Sequence, residues 1–101
     1  MKVVEAPVDI GGLITRSRGI KNGSPHIAGT GVLVRTIVRM YQQGLGPEEI
    51  AAEYGHLTLA QVHAALTYYH ANRQAVEDEI AGQDAEAARL EREHARPRTP
   101  R

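Results

Sequence analysis

The sequence predicts a mainly α-helical domain, in which a trihelical helix-turn-helix unit follows short β-strands and precedes a helical tail. Three observations support this class. Residues 47–54 and 58–70 each carry helix-capping signals and one apolar face. A glycine separates them, and a third amphipathic segment, residues 35–43, comes before them. Three short helices joined by tight turns are the usual setting of a helix-turn-helix.

The first helix of this motif is marked by residues at its ends. Pro47 suits the first helical position, because its missing N–H is not needed there. Glu48 and Glu49 place negative charge in the first turn, where the helix dipole favours it. Gly55 fits a left-handed C-terminal cap, so the helix is expected to end just before it.

The second helix begins with a capping box, in which Thr58 is followed three residues later by Gln61. Apolar residues then recur at the spacing of one helix face, and they are Val62, Ala65, Leu66 and Tyr69. We expect this face to lie in the core. A plain helical hairpin gives the same pattern, so two interpretations of the paired helices remain open.

Short strands are predicted before the helices. Residues 1–13 have little pattern and are read as an arm or edge strand, whereas residues 14–20 have β-branched and alternating character. The basic side chains here are Arg16, Arg18 and Lys21. They form either a solvated strand face or an arm that contacts phosphates. Two more short strands, separated by glycine-containing turns, are predicted at residues 26–27 and 32–34.

The helix predicted at residues 35–43 has Ile37, Val38 and Tyr41 on one face and Gly44 at its end. With the two helices of the motif it completes the domain, which we place at residues 14–72 between the arm and a tail of residues 73–101.

The tail continues a pattern that starts in the second helix of the motif. Residues spaced alternately by three and four form a heptad-like seam, made of Leu66, Tyr69, Arg73, Val76, Ile80, Gln83, Ala87 and Leu90. The tail is too polar to fold alone, so it packs on a partner or stays partly disordered. Using the same seam to form a dimer is an alternative.

Composition excludes several classes of protein. There is no cysteine, so disulfides and thiolate zinc sites are impossible. No apolar run is long enough for a signal peptide or a membrane span, and we expect a cytoplasmic protein. Twelve basic residues balance twelve acidic ones, so nucleic-acid binding requires a local basic patch.

No catalytic constellation is apparent, and we expect neither an enzyme nor a cofactor. His63 and His70 are seven residues apart, about 10 Å along a helix, which is too far to share a metal ion. Ser24 has no recognisable base nearby.

Candidate DNA contacts follow from the helix-turn-helix. Side chains that can read base edges are Gln61, His63 and Thr67, and phosphate contacts are expected from Arg16, Arg18, Lys21, Arg35, Arg39 and Arg73. The candidate recognition helix itself carries no Lys or Arg. Its stripe of Ala60, Ala64, Thr67 and Ala71 equally suits close packing against another helix.

Residues 14 to about 70 resemble the domain-of-unknown-function 433 (DUF433) family. Its members carry an opening of the form G-G-x-P-x-I-x-G-T-R, which here reads NGSPHIAGTG at residues 22–31. The later motifs G-x-x-x-E-E-I, Y-P-x-L-T and V-x-x-A-L-x-Y-Y are matched from Gly44 to Tyr69. The sequence departs from these motifs at Asn22, Gly31 and Gly55. The missing arginine at position 31 removes one charge from the opening.

The resemblance implies a homeodomain-like helical fold, commonly dimeric, and a VapB-type antitoxin of a type II toxin–antitoxin pair. Such an antitoxin binds operator DNA through its N-terminal domain and inhibits a PIN-domain ribonuclease toxin with its C-terminal tail. The expected toxin-binding residues are Val76, Ile80, Ala87, Arg89, Leu90, Arg92 and Arg96, with an arginine competing for the acidic metal site. The alternative is a homodimeric adaptor that binds only protein.

Overall fold

The computed structural model describes residues 8–17 and 23–95, which form four helices and a two-stranded antiparallel sheet. After a 3-10 turn at Ile10–Gly12, the elements in order are β1 (Ile14–Arg16), β2 (Pro25–Ile27), α1 (Val34–Gln42), α2 (Pro47–Tyr54), α3 (Leu59–Ala71) and α4 (Arg73–Ala95). The predicted class, mainly helical with a small N-terminal β part, is confirmed. Among the described residues, none of the helices combines the length and apolarity needed to span a bilayer.

The sheet lies at the N-terminal side of the helices. Ile14 is opposite Ile27, Thr15 opposite His26, and Arg16 opposite Pro25. Of the strand predicted at residues 14–20, β1 occupies the first three residues, and residues 18–20 lie outside the described part of the chain.

The strand predicted at residues 32–34 is wrong. Only Leu33 forms a bridge, to His26, and Val34 already begins α1. Leu33 has extended backbone angles, φ −83° and ψ 147°, because it is the N-cap of the helix. Val34 is fully buried as a helical residue, so tertiary packing outweighs its preference for a strand.

The predicted ends of α2 and the predicted start of α3 are confirmed. Pro47 is the first residue of α2, and Gly55 ends it with a φ of 73°, a left-handed conformation that costs a glycine little. At the start of α3, the Thr58 backbone N–H donates to Gln61 Oε1 at 2.7 Å, and the Gln61 N–H donates to Thr58 Oγ1 at 3.1 Å. These local bonds fix the turn between the two helices.

One continuous core joins the sheet and all four helices. It contains the predicted α3 face together with residues from every other helix and β2, namely Ile27, Val34, Ile37, Val38, Ile50, Leu57, Val62, Ala65, Leu66, Tyr69, Val76 and Ile80. Tyr41 departs from the prediction, because it is 40% exposed and its ring stands edge-on to His70, with centroids 6.1 Å apart.

The chain does not continue straight from α3 into the tail. Asn72 breaks the helix with φ −133° and ψ 44°, and α4 starts at the next residue and packs on α1 and α3. Val76 and Ile80 are 1% and 8% exposed in the core. The core therefore extends past residue 72, the predicted end of the domain. Because they are buried within the chain, Val76 and Ile80 are not available to a partner, which corrects their assignment as toxin-binding residues.

Polar side chains also hold α4 in place. Glu79 accepts hydrogen bonds from Arg35 Nη1 at 2.8 Å and from the Ser24 hydroxyl. One turn further on, Arg39 forms an ion pair with Asp84. The side chains of Arg35 and Glu79 are only 14% and 22% exposed, so water screens this pair less than the pairs on the surface.

Leu66→Ala removes a core side chain at the centre of the α3 face. We expect the free energy of unfolding to fall by about 2–5 kcal/mol, because a cavity is left in a close-packed interior. Urea denaturation followed by circular dichroism measures this loss. An unchanged midpoint would contradict the placement of Leu66 in the core.

Glu79→Ala leaves the largely buried Arg35 guanidinium without its carboxylate. We expect a loss of about 1–3 kcal/mol in the free energy of unfolding. Asp78→Ala is the matched control, since Asp78 is exposed and its hydrogen bond within the described ranges comes from Gln74 on the same helix. The control is expected to stay within about 0.5 kcal/mol of the parent chain. Equal losses in the two variants would show that the Glu79 network contributes nothing specific.

Candidate functional site

The outer side of α3 is the surface on which base-reading side chains were predicted. Gln61 is engaged in the capping box, whereas His63 and Thr67 are exposed. Between Leu59 and Ala71 the helix has no Asp, Glu, Lys or Arg. The structure thus brings His63 and Thr67 to one surface, but this surface carries no fixed positive charge.

An apolar groove of about 490 Å³ runs along this side of α3. One wall is the N-terminal segment, with Ile10, Leu13 and Ile14, and the other is the α3 surface with Ala60, His63, Ala64, Thr67 and Tyr68. The predicted small-residue stripe therefore lies in a recess beside β1, although Ala71 is not part of the groove lining. The sequence pattern marked the stripe but not the opposite wall, which is brought there by the pairing of β1 with β2.

Three of the predicted phosphate contacts are engaged with carboxylates of α4. Arg35 pairs with Glu79 and Arg39 with Asp84. Arg73 Nε lies 3.1 Å from Glu77 Oε2, and its guanidinium carbon lies 5.4 Å from the centre of the Tyr69 ring. Arg35 is also mostly buried. These partners offset the charges of the three arginines, so the phosphate contacts expected from them require each one to exchange a carboxylate for a phosphate.

Glu77 joins two residues at the junction of α3 and α4. The Tyr69 hydroxyl donates to Glu77 Oε2 at 2.7 Å, and Arg73 donates to the same oxygen. These two hydrogen bonds lower the pKa of the Glu77 carboxyl, and the bond to Glu77 together with burial raises the pKa of Tyr69. These hydrogen bonds therefore connect the end of α3 to the start of α4 across Asn72, where the helix is interrupted.

The predicted basic strand is described in part. Arg16 is exposed at the end of β1, and its Nε donates to the Gly23 carbonyl oxygen at 2.6 Å. Arg18 and Lys21 lie outside the described residues. Of the candidate phosphate contacts within the described ranges, Arg16 is the one whose guanidinium has no carboxylate partner there.

A polar cavity of about 530 Å³ lies between β2, α1 and α4. Its charged lining residues are two arginines and two carboxylates, Arg16, Arg35, Asp78 and Glu79, so their formal charges cancel. Ser24 borders the cavity and donates its hydroxyl to Glu79, while His26 Nδ1 lies 3.4 Å from the Ser24 carbonyl oxygen rather than near the hydroxyl. The sequence did not predict that Glu79 binds Arg35 and Ser24, because these residues lie 44 and 55 positions before it and no local pattern connects them.

The second half of α4 projects beyond the core. From here on, the arm means residues 81–95 and not the N-terminal residues 1–13. Its side chains are exposed except that of Ala88, which is half-buried, and Leu90 is 41% exposed. Ala87, Arg89, Leu90 and Arg92, predicted to bind a toxin, all lie on the arm, whereas Arg96 lies outside the described residues.

The arm's two arginines differ in their surroundings. Arg89 Nη1 lies 2.7 Å from Glu93 Oε2, and Arg89 also pairs with Glu86. These partners raise the pKa of Arg89, with Glu86 the main cause. Arg92 has no ion pair with any residue that the structure describes. No group of three or more His, Asp or Glu side chains in the described ranges is placed to hold a metal ion.

Comparison with known proteins gives a family. The family model described as "Protein of unknown function (DUF433)" matches residues 14–69, more than half of the chain. The chain is also similar to the crystal structure of a DUF433 member protein from Anabaena variabilis ATCC 29413, with 34% sequence identity, 69% of each chain covered and a TM-score of 0.65. The comparison with curated proteins finds no match. The fold, the motifs and both similarities agree that this chain belongs to the DUF433 family.

Proposed function

We propose that this chain is the antitoxin of a type II toxin–antitoxin pair and that the arm binds the toxin. The observation that carries the proposal is the length of α4 beyond its last buried residue, Ile80. The arm adds 15 helical residues, about 22 Å, with little packing on the rest of the chain. An isolated helix of this length is marginally stable in water, so a partner that buries one face stabilises it.

The apolar side of the arm continues the side of α4 that enters the core. Val76 and Ile80 lie on this side within the core, and Ala87 and Leu90 follow at heptad spacing on the exposed part. A toxin groove that packs on Ala87 and Leu90 therefore extends the hydrophobic seam without disturbing the core.

Arg92 is the arm's best candidate for reaching an acidic ribonuclease site. A guanidinium can bind a carboxylate through two parallel hydrogen bonds. To bind a carboxylate of a toxin, Arg89 would have to break its ion pairs with Glu86 and Glu93. Arg92 has no ion pair with a described residue to break. Among the described residues, this proposal assigns toxin binding to Ala87, Leu90 and Arg92, with Arg89 holding the helix. Arg96 lies outside the described residues and stays a prediction.

Operator binding is a second candidate function. The observation that favours it is the arrangement of α2 and α3, which are both capped and joined by the left-handed Gly55, as in a helix-turn-helix. The neutral surface of α3 and the paired arginines beside it count against α3 as a recognition helix. The remaining basic residues for phosphate contacts are Arg16, Arg18 and Lys21.

A chain truncated after Ala85 tests the arm. It keeps Val76, Ile80 and the Arg39–Asp84 pair, so we expect a melting temperature within a few degrees of the parent. It loses Leu90 and Arg92, and we expect it neither to co-purify with the protein encoded by the adjacent reading frame nor to inhibit its ribonuclease activity. Full inhibition by the folded truncated chain would reject the arm as the toxin-binding segment.

Point variants refine this experiment in the full-length chain. Arg92→Ala is expected to weaken toxin binding by about tenfold or more, the loss typical of a charged anchor at an interface. Glu91→Ala is the matched control, because Glu91 is exposed and adjacent and makes no ion pair with a described residue. If the control weakens binding as much as Arg92→Ala, the guanidinium has no special role.

Operator binding is tested by a mobility shift with the DNA upstream of the reading frame. Affinity should fall steeply with salt, since phosphate contacts release counterions. Arg16→Ala together with Arg18→Ala should weaken binding to every sequence alike, whereas Gln61→Ala should relax specificity if α3 reads bases. If no complex forms at low salt, operator binding is rejected and toxin binding remains the proposed function.

A further inference from the structure

The polar cavity between β2, α1 and α4 has balanced charges, but only one opposite pair of them is in contact. Arg35 and Glu79 form an ion pair at 2.8 Å on its wall. Arg16 on β1 and Asp78 on α4 also line the cavity, and they pair neither with each other nor with another charged residue of the described ranges. A cation and an anion therefore lie on different walls of one cavity without meeting.

Both of these groups keep hydrogen-bonding capacity within the described structure. Arg16 Nε donates to the Gly23 carbonyl oxygen at 2.6 Å, which leaves the N–H groups of the two Nη atoms. Asp78 Oδ1 accepts from Gln74 Nε2 at 2.8 Å, which leaves Oδ2. The hydroxyl of Tyr68, on the α3 side of the cavity, has no hydrogen bond with a described residue. The cavity thus offers a charged donor, a charged acceptor and a hydroxyl.

The remainder of the lining is apolar, and it consists of Pro25, Ala75, Val76 and the ring of Tyr68. The volume of about 530 Å³ lies within the range of small-molecule sites, about 300–1,000 Å³. Such sites typically combine apolar walls with a few polar groups that fix the orientation of the ligand. The cavity has both of these components.

The charges of the lining select the class of ligand. A ligand with several phosphates would be repelled by Asp78 and Glu79, and a ligand with several amines would be repelled by Arg16 and Arg35. A purely apolar ligand would remove these charges from water without replacing their hydrogen bonds. A small zwitterion matches them, because it carries one charge of each sign.

We propose that this cavity binds a free α-amino acid with an apolar side chain. The carboxylate of the amino acid accepts hydrogen bonds from the Arg16 guanidinium, which suits a carboxylate in geometry as well as charge. The ammonium group donates to Asp78 Oδ2. The side chain of the ligand packs on Pro25 and Ala75, and the Tyr68 hydroxyl donates to the carboxylate.

This site is separate from the proposed toxin-binding surface, because none of its residues lies on the arm. It shares Arg16 with the candidate phosphate contacts, whereas Asp78 belongs to the cavity alone. A bound amino acid contacts both β1 and α4, so it favours the arrangement in which α4 is docked. Binding to the folded chain alone raises the melting temperature as the ligand concentration rises.

Isothermal titration calorimetry of the full-length chain tests the proposal with L-valine, L-leucine and L-phenylalanine. We expect at least one of them to bind. Its amide, which lacks the carboxylate, and its N-acetyl derivative, which lacks the ammonium group, are expected to bind about tenfold more weakly or worse. The reason is that each derivative leaves one charged group of the cavity without its partner.

Two variants assign the charges of the ligand to the two walls. Asp78→Asn should lose the preference for the amino acid over its N-acetyl derivative, and Arg16→Gln should lose the preference over its amide. Both residues are exposed, so the core stays intact. Glu53→Gln is the matched control, because it makes the same exchange of carboxylate for amide on an exposed residue of α2 outside the cavity. The control should bind as the parent does.

The proposal is overturned if none of the three amino acids binds at millimolar concentration. It is also overturned if the amide or the N-acetyl derivative binds as tightly as the amino acid, since one charge then suffices. Tighter binding of inorganic phosphate would show an anion site instead. Asp78→Asn that binds like the control contradicts the assigned wall. A rise in melting temperature with the amino acid that is present in the control and absent in Asp78→Asn supports the site.

Discussion

The docking of the first two turns of α4 onto α1 and α3 is the constraint on which the rest of the structure depends. Val76 and Ile80 supply its apolar part and close the core on the side that α1 and α3 leave open. The Arg35–Glu79 pair supplies its polar part and links α4 to Ser24 beside β2. Sheet, helices and arm are thus held in one arrangement by a few residues of α4.

This docking also decides which surfaces are left for partners. The carboxylates that hold α4 are the ones that neutralise Arg35 and Arg39, so fixing the arm and presenting a basic surface on α1 are competing uses of the same side chains. In this structure the carboxylates are used to fix α4, and α1 presents no unpaired basic surface there. Among the described residues, the accessible features include the uncharged groove beside α3, the exposed Arg16 and the arm. The groove and the arm suit protein contacts better than phosphates.

Features fixed by neighbouring residues were predictable from the sequence, and features fixed by distant ones were not. The capping box of Thr58 and Gln61 involves residues three apart, so the start of α3 was predicted correctly. Val34 was placed in a strand, because its burial against other helices is not visible locally. The break at Asn72 was missed since a heptad-like spacing crosses it unchanged. Arg35 and Arg39 were selected for their charge, but their partners on α4 lie 44 and 45 residues away.

The ion pairs of the arm have a consequence for the evolution of its sequence. The ion pairs of Arg89 join it to Glu86 and Glu93 on the same helix, and no described residue of the arm beyond Asp84 takes part in the ion pairs that hold α4 to the core. Substitutions at its exposed positions therefore cost little folding stability. The sequence of the arm is therefore free to diverge while the core residues stay constrained, so closely related folds can carry arms of different sequence.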